Sequence, residues 1–377
     1  MIRYMTAGES HGKGEVTILE GVPAGLKIDK GFIDNELARR MAGYGRGKRM
    51  EIEQDRVEIV AGCRKGVTIG SPIGMLVPNK DFKIDELHAV KCPRPGHADL
   101  AGMQKYGMAD ARDVLERASA RETAARVSAG AVAKLILKEF DIRILSHVTM
   151  LGGAEAKTEG LSFEDIYKLA YDAVSRLRCA DRKAEEAMCG KIDEASRAGD
   201  TLGGSFEVIV RGVPAGLGSY VQWDRRMDGA IARAVMSIPA VKAVSIGQGI
   251  ECSMKKGSET HDPIKYDAGR KTFGRLSNNA GGIEGGVTNG MDVVVKGFMK
   301  PIATLASPLR SVDIDTKHEC AAATERSDVT AVPACGVIAE SVVALEIASA
   351  FLEKFGGDSM KELTRNYNGY MEQLRAM

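Results

Sequence analysis

The chain has 377 residues, with 52 Lys and Arg against 51 Asp and Glu, and is 44% hydrophobic and 27% charged. That composition is expected of an ordinary soluble globular protein, and the charge balance argues against a nucleic-acid coat protein or a membrane-surface binder, so any phosphate recognition must be local. The length suits two domains or one large duplicated domain.

In chain order the first motif is "GESHG" (8–12), which places His11 between Ser10 and Gly12. It superficially resembles a Gly-x-Ser-x-Gly hydrolase elbow, but no strand is expected before Ser10, and the hydrolase reading is set aside. "EVTILEGVPAGL" (15–26) alternates like a strand and ends in a Pro/Gly turn, and a helix is expected over 32–42. "RRMAGYGRGKRM" (39–50) then carries Arg39, Arg40, Arg46, Lys48 and Arg49 with no acid. Guanidinium forks pair with carboxylate or phosphate, so this loop suits a small polyanion, the alternatives being a solvated loop or an RNA contact. "GVTIGSPIGMLV" (66–77) reads as two extended runs around a glycine turn.

"RPGHADLAG" (94–102) sets His97 on a turn made by Pro95 and Gly96, with Arg94 before it and Asp99 after. A histidine held there is either a surface residue or a tuned acid and charge stabiliser. The strongest helix pattern covers 109–140, about 48 Å at 1.5 Å per residue. Small residues fill its middle, with Arg117, Arg121 and Arg126 among them, and Arg117 and Arg121 are expected on one face. Such a stretch admits a flat ligand or a second backbone; in the latter case Glu116 and Glu122 would pair the arginines. Residues 151–200 look like a helical insertion.

The second half repeats the first. "FEVIVRGVPAGL" (206–217) echoes 15–26, "GVTNGMDVVV" (286–295) echoes 66–77, and the helical 341–355 echoes 128–140. Three echoes in one order predict a duplicated unit of strands plus a long helix, hence a layered α+β fold. The expected organisation is a single domain over 1–377 with pseudo-repeat halves about 1–150 and 201–360. "SNNAGGIEGGVTNG" (277–290) and "KPIATL" (300–305) offer unobstructed main-chain N–H groups, a lysine and a hydroxyl suited to a phosphate. In "ERSDVTAVPA" (325–334), Arg326 and Asp328 precede the final helix, which Pro333 helps to start.

Seven cysteines form no C-x-x-C pair and match no zinc spacing, so free thiols in a reducing cytoplasm are expected. No leader-like apolar stretch opens the chain, and no run of membrane-spanning length is expected.

Taken together, these motifs resemble the chorismate synthases, in the same order and from about residue 3 to about residue 360. The resemblance implies a homotetramer with a β-α-β sandwich core, long helices lying between antiparallel sheets. It implies loss of phosphate and a ring hydrogen from 5-enolpyruvylshikimate 3-phosphate, giving chorismate with reduced FMN and no net redox change. Arg40, Arg46, Arg49, Arg94, Arg121 and Arg326 match positions around the substrate. FMN would lie against Arg117, Ala118 and Ser119, Pro239 and Ala240, Gly285, Lys300, Pro301, Ile302, Ala303 and Thr304, and Arg326. His97 corresponds to the histidine beside the flavin and His11 to the one that protonates the departing phosphate. Ser10, Ser119 and Asp328 match a proton relay. Two positions depart from the pattern: Pro239 stands where many members carry Asn or Gln, and Ser327 where many carry His, so Ser327 is given no role. NADPH is a possible indirect reductant, and the length favours an outside source of electrons. A non-enzymatic flavin- or RNA-binding protein would leave the two histidines and Asp328 without a task. An NAD(P)-dependent dehydrogenase is disfavoured because no fingerprint loop follows a strand near the N-terminus. No nucleic acid, membrane or metal is expected.

Overall fold

The computed structural model describes residues 2–47, 54–172, 175–269, 271–325 and 328–377. Arg49, Arg326 and Ser327 lie outside the described residues.

Strands β1 (Arg3–Ala7) and β2 (Gly14–Glu20) pair antiparallel, followed by helix α1 (Lys30–Met41) and strands β3 (Glu58–Ala61) and β4 (Ile73–Pro78). The first sheet has the order β1-β2-β4-β3 and is antiparallel throughout. The period of two decides its faces: Glu15, Thr17 and Leu19 turn inward, Val16 and Ile18 outward. Helices α2 (Asp99–Tyr106), α3 (Ala111–Ala118) and α4 (Thr123–Lys138) come next, then β5 (Arg143–Leu151), β6 (Ala154–Glu155), α5 (Arg182–Ala198) and β7 (Gly204–Arg211). Helix α6 (Met227–Met236), β8 (Val241–Ile246), β9 (Val293–Met299), α7 (Val332–Phe355) and α8 (Met360–Ala376) complete the frame. The second sheet has the order β8-β9-β7-β5-β6, again antiparallel.

Helix α4 packs on β2 and β4, α7 packs on β5 and β7, and the two helices pack on each other. The fold is thus the expected α+β sandwich, with helices between antiparallel sheets. A Cβ at Gly130 would sit 2.3 Å from Cβ of Ser341, so glycine there lets α4 and α7 approach. The small residues of α4 from Ala124 to Gly130 therefore serve helix packing.

The sequence echoes have matching hydrogen bonds. Thr68 Oγ1 donates to Pro23 O (2.6 Å) and accepts from Leu26 N (2.9 Å). Thr288 Oγ1 donates to Pro214 O (2.7 Å) and accepts from Leu217 N (2.9 Å). Each Gly-Val-Pro-Ala-Gly-Leu turn is fastened in the same way.

Several expectations need correction. The helix over 109–140 is broken: Ser119 is extended (φ −63°, ψ 143°) and its hydroxyl accepts from Arg121 N, ending α3 and starting a short 3-10 turn before α4. Arg117 and Arg121 therefore do not share a face. Helix α7 is not the last, since α8 follows it. Within the expected helical insertion 151–200, the described residues form a short strand over Ala154–Glu155, an α turn over Phe163–Tyr167, a π segment over Lys168–Asp172 and α5. Helix α7 is also long and apolar enough to cross a membrane by length and composition, but 83% of its apolar window is buried between the sheets. A strand, β1, does precede Ser10, but the loop after it enters another strand and not a helix, so no hydrolase elbow forms. Finally, Cys92 and Cys320 form a disulfide across 228 residues, against the expectation of free thiols. The segment around Cys92 lies along the hairpin 310–321, with Ile314 N donating to Lys91 O and Ala323 N to Cys92 O. Cys63, Cys179, Cys189, Cys252 and Cys335 are free.

Candidate active site

Three clusters gather the sequence-predicted residues. The first forms where the loop 8–12 meets the break between α3 and α4. Ser119 Oγ donates to Ser10 Oγ at 3.2 Å, and Ser10 N donates to Glu116 O at 2.9 Å. His11 is clamped twice by Glu116: its main-chain N–H donates to Oε2 (2.8 Å), and Nδ1 lies 3.0 and 3.1 Å from the two carboxylate oxygens. Asn79 ties the loop to Arg121, because Nδ2 donates to Gly12 O (2.8 Å) and Oδ1 accepts from Arg121 Nε (2.7 Å). Asp55 accepts from Arg121 Nη1 at 2.6 and 2.7 Å and from Arg40 Nη1 at 3.4 Å. Burial lowers the Arg40 pKa to about 10 against the pull of Asp55, which still leaves it charged at neutral pH. Arg121 Nη2 is a buried donor without a partner among the described residues. A buried N–H left open in this way suits an anion that arrives later.

The second cluster is built on the turn 94–97, where Gly96 takes φ +77°. Asp99, fully buried, accepts from Arg94 N, Nε and Nη2 at 2.9–3.0 Å, and His97 Nδ1 lies 2.5 Å from its Oδ1. Burial alone would raise the Asp99 carboxyl, but hydrogen bonds from His97 and Arg94 outweigh it and hold the group well below the usual carboxylate range. Arg94 Nη1 also donates to Thr304 Oγ1 (2.7 Å), so its fork is engaged within the protein. Lys300 Nζ donates to Gly96 O, and Lys300 N to Ala240 O (2.9 Å), which joins the 239–240 and 300–304 segments through main chain.

In the third cluster, Arg46 Nη1 pairs with Asp328 Oδ2 (2.7 Å) while Gly47 N donates to Oδ1 (2.6 Å). Asp328 therefore fastens the arginine loop and does not cap α7, whose N-cap, Ala331, makes no side-chain cap bond. Arg112 links the first cluster toward the 325–328 segment, at 3.5 Å from Glu116 and 2.8 Å from Glu325. Gly285 stands on a separate hairpin, its carbonyl accepting from Arg226 Nη1 at 3.2 Å.

Sequence reasoning missed Glu116 as a partner of His11, and also Asn79, Asp55 and Glu15. Only Asp99 had a local signal, two residues from His97.

Arg117 donates to Gly8 O and Thr6 O (both 3.1 Å), and Lys300 to Gly96 O. Both cations thus meet mainly carbonyls, and Lys300 has no carboxylate partner among the described residues. Arg117 has one distant carboxylate, Glu15 at 4.0 Å, and local positive charge of this kind fits the phosphate and the anionic ring of a reduced flavin mononucleotide.

Glu15 is 1% exposed, with neither carboxylate oxygen hydrogen-bonded among the described residues. Burial raises its pKa from 4.5 to about 7, against the pull of Arg121 and Arg117. The folded protein therefore holds this proton more tightly than the unfolded chain. The resulting stability is complete below pH 4.5 and is lost as the pH rises toward about 7. In the unliganded protein, Glu15→Gln should abolish a pH-dependent loss of about 2.5 kcal/mol between pH 5 and pH 8. Urea unfolding of both proteins at the two pH values checks this. Equal slopes in the two would contradict it.

The sequence profile described as chorismate synthase matches residues 2–352. The chain is 51% identical over 392 residues to the chorismate synthase of Koribacter versatilis, covering 100% of both chains. It is 53% identical over 394 residues to that of Geotalea daltonii, again covering 100% of both. A crystal structure of a chorismate synthase superposes with a TM-score of 0.82 at 41% identity, covering 100% of this chain and 99% of that one.

Proposed function

The chain belongs to the chorismate synthase family, and on that premise we propose how its own residues divide the work. The reaction is the last step of the shikimate pathway: 5-enolpyruvylshikimate 3-phosphate loses phosphate and a ring hydrogen in a 1,4-anti elimination, giving chorismate. The family uses reduced FMN, which when bound supplies electron density that eases departure of the phosphate and takes it back as the hydrogen leaves.

The single observation that carries the residue assignment is that each histidine sits beside a buried carboxylate, His11 on Glu116 and His97 on Asp99. His11 gives a proton to a phosphate oxygen as the C–O bond breaks. His97, held by Asp99 and Arg94, keeps positive charge beside the reduced ring. Arg40, Arg46, Arg49, Arg121 and Arg326 pair with the two carboxylates and the phosphate of the substrate, since unpaired anions in a dry site are costly. Arg94 orders the His97 turn and Thr304, and its contribution to the substrate is made through them. Ser10, Ser119 and Asp328 form the proton relay, supported by the contact between the two hydroxyls.

Arg117 to Ser119, Pro239, Ala240, Gly285, Lys300 to Thr304, and Arg326 hold the cofactor. At Pro239 and Ala240 the contact is through main chain. Reduction of FMN comes from outside the protein, with NADPH acting only indirectly. The chain is one duplicated domain and works in the cytoplasm as a homotetramer on a small-molecule substrate, without nucleic acid or membrane. The homotetramer is supported by Met5, Val16, Ile18 and Val60, which stand exposed on the first sheet. The experiment that tests this reading is anaerobic turnover with reduced and with oxidised FMN.

A further inference from the structure

We propose that Glu116 is the positioning residue of the acid that serves the departing phosphate. It fixes which nitrogen of His11 faces the substrate and stabilises the charged ring. The proposal rests on the reading of His11 as the proton donor.

The geometry is specific. Glu116 is 2% exposed, reaches His11 from 105 residues away and engages both its main-chain N–H and Nδ1. Holding the main chain as well as the ring fixes the imidazole in place. The Nδ1 proton is then committed to Glu116, and among the described residues Nε2 has no partner, so it is the nitrogen left for substrate. When the Nε2 proton moves to a phosphate oxygen, the ring becomes neutral and keeps its Nδ1 proton on Glu116, which itself takes up no proton. Burial would raise the Glu116 carboxyl, but the hydrogen bonds from His11 and the charges of His11 and Arg112 lower it, so the group is the anion that the imidazolium needs. Arg112 is the other charged side chain on Glu116, and Glu325 holds Arg112 in turn.

The test is a double-mutant cycle on the full-length protein. Glu116→Gln keeps the shape and an acceptor oxygen but removes the charge. It should lower kcat about 10- to 100-fold with KM little changed, within the range of a coupling between contacting residues. In the His11→Ala background the same substitution should change kcat less than about twofold, because the residue it acts through is gone. A Glu116→Gln protein with wild-type kcat, or an equal loss in both backgrounds, would overturn the proposal. A second reading needs no change at Glu116: wild type should show a downfield, slowly exchanging ring proton by NMR that is absent from His11→Ala. Its absence from wild type would also overturn the pairing. Failure of the underlying reading of His11 looks different, because His11→Ala alone would then keep near-wild-type kcat.

Discussion

Replacing His11 or His97 by alanine lowers turnover by about two to four orders of magnitude, the usual worth of a positioned proton donor or charge stabiliser. Both side chains are partly exposed, 13% and 19%, and anchored through Nδ1, which suits a ring that is held in place and still reaches a ligand. The fold should survive either change. His97 stands on a turn that Arg94, Asp99 and Thr304 hold without it. His11→Ala leaves Glu116 with Arg112 and the main-chain N–H of residue 11, so the expected loss of stability is only about 1–3 kcal/mol. Single-turnover kinetics under anaerobic conditions separate the chemical step from binding. Near-full activity in either variant would remove that histidine from the chemistry.

Glu340→Ala should cost about 3–5 kcal/mol of folding stability, because it leaves the Arg39 and Lys134 cations with a single carboxylate, Glu36, between them. Glu340 is fully buried on α7 and accepts from Arg39 Nη2 (2.7 Å), Lys134 Nζ (2.5 Å), Ser146 Oγ (2.6 Å) and Tyr171 OH (2.9 Å). Glu36 on α1 is the other anion of the group, meeting Arg39 at 2.6 Å and Lys134 at 2.5 Å. Burial would raise the Glu340 carboxyl, but Arg39 and Lys134 overcome it and hold it well below the carboxylate range; Glu36 is lowered by the same two cations. Depressed carboxyls contribute stability that is present above the ordinary carboxylate pKa and lost as the pH falls below it. The variant should therefore be less stable at neutral pH and should lose less on acidification. Urea unfolding at pH 7 and pH 4 measures both effects. A loss under about 1 kcal/mol at pH 7 would mean the two cations find other partners.

The layered α+β arrangement was legible because its information is local and repeated, while the sandwich came with the family resemblance. Alternation in 15–26 and 206–217, and the small-residue helix over 128–140, are one-dimensional signals of strands and a packed helix. What escaped depended on distant partners. The break at Ser119 arises because its hydroxyl both accepts from Arg121 N and reaches Ser10, 109 residues away. Glu116 looks like any helical acid until the loop 8–12 folds onto it. Asp55 and Asn79 stand 66 and 42 residues from the Arg121 they orient. The Cys92–Cys320 disulfide spans 228 residues and has no spacing signature. For the site itself, motifs located the loops that carry His11, His97 and Asp328, and Asp99 beside His97, while Glu116 as the partner of His11 came only from a tertiary contact.

The measurement that tests the central claim most directly is an anaerobic assay with purified protein, 5-enolpyruvylshikimate 3-phosphate and FMN, followed by chorismate absorbance. Chorismate should form when dithionite reduces the FMN, and not with oxidised FMN or with NADPH as the only reductant. Product with NADPH alone would contradict the outside source of electrons. No product under any condition, from folded protein with flavin bound, would contradict the catalytic reading itself.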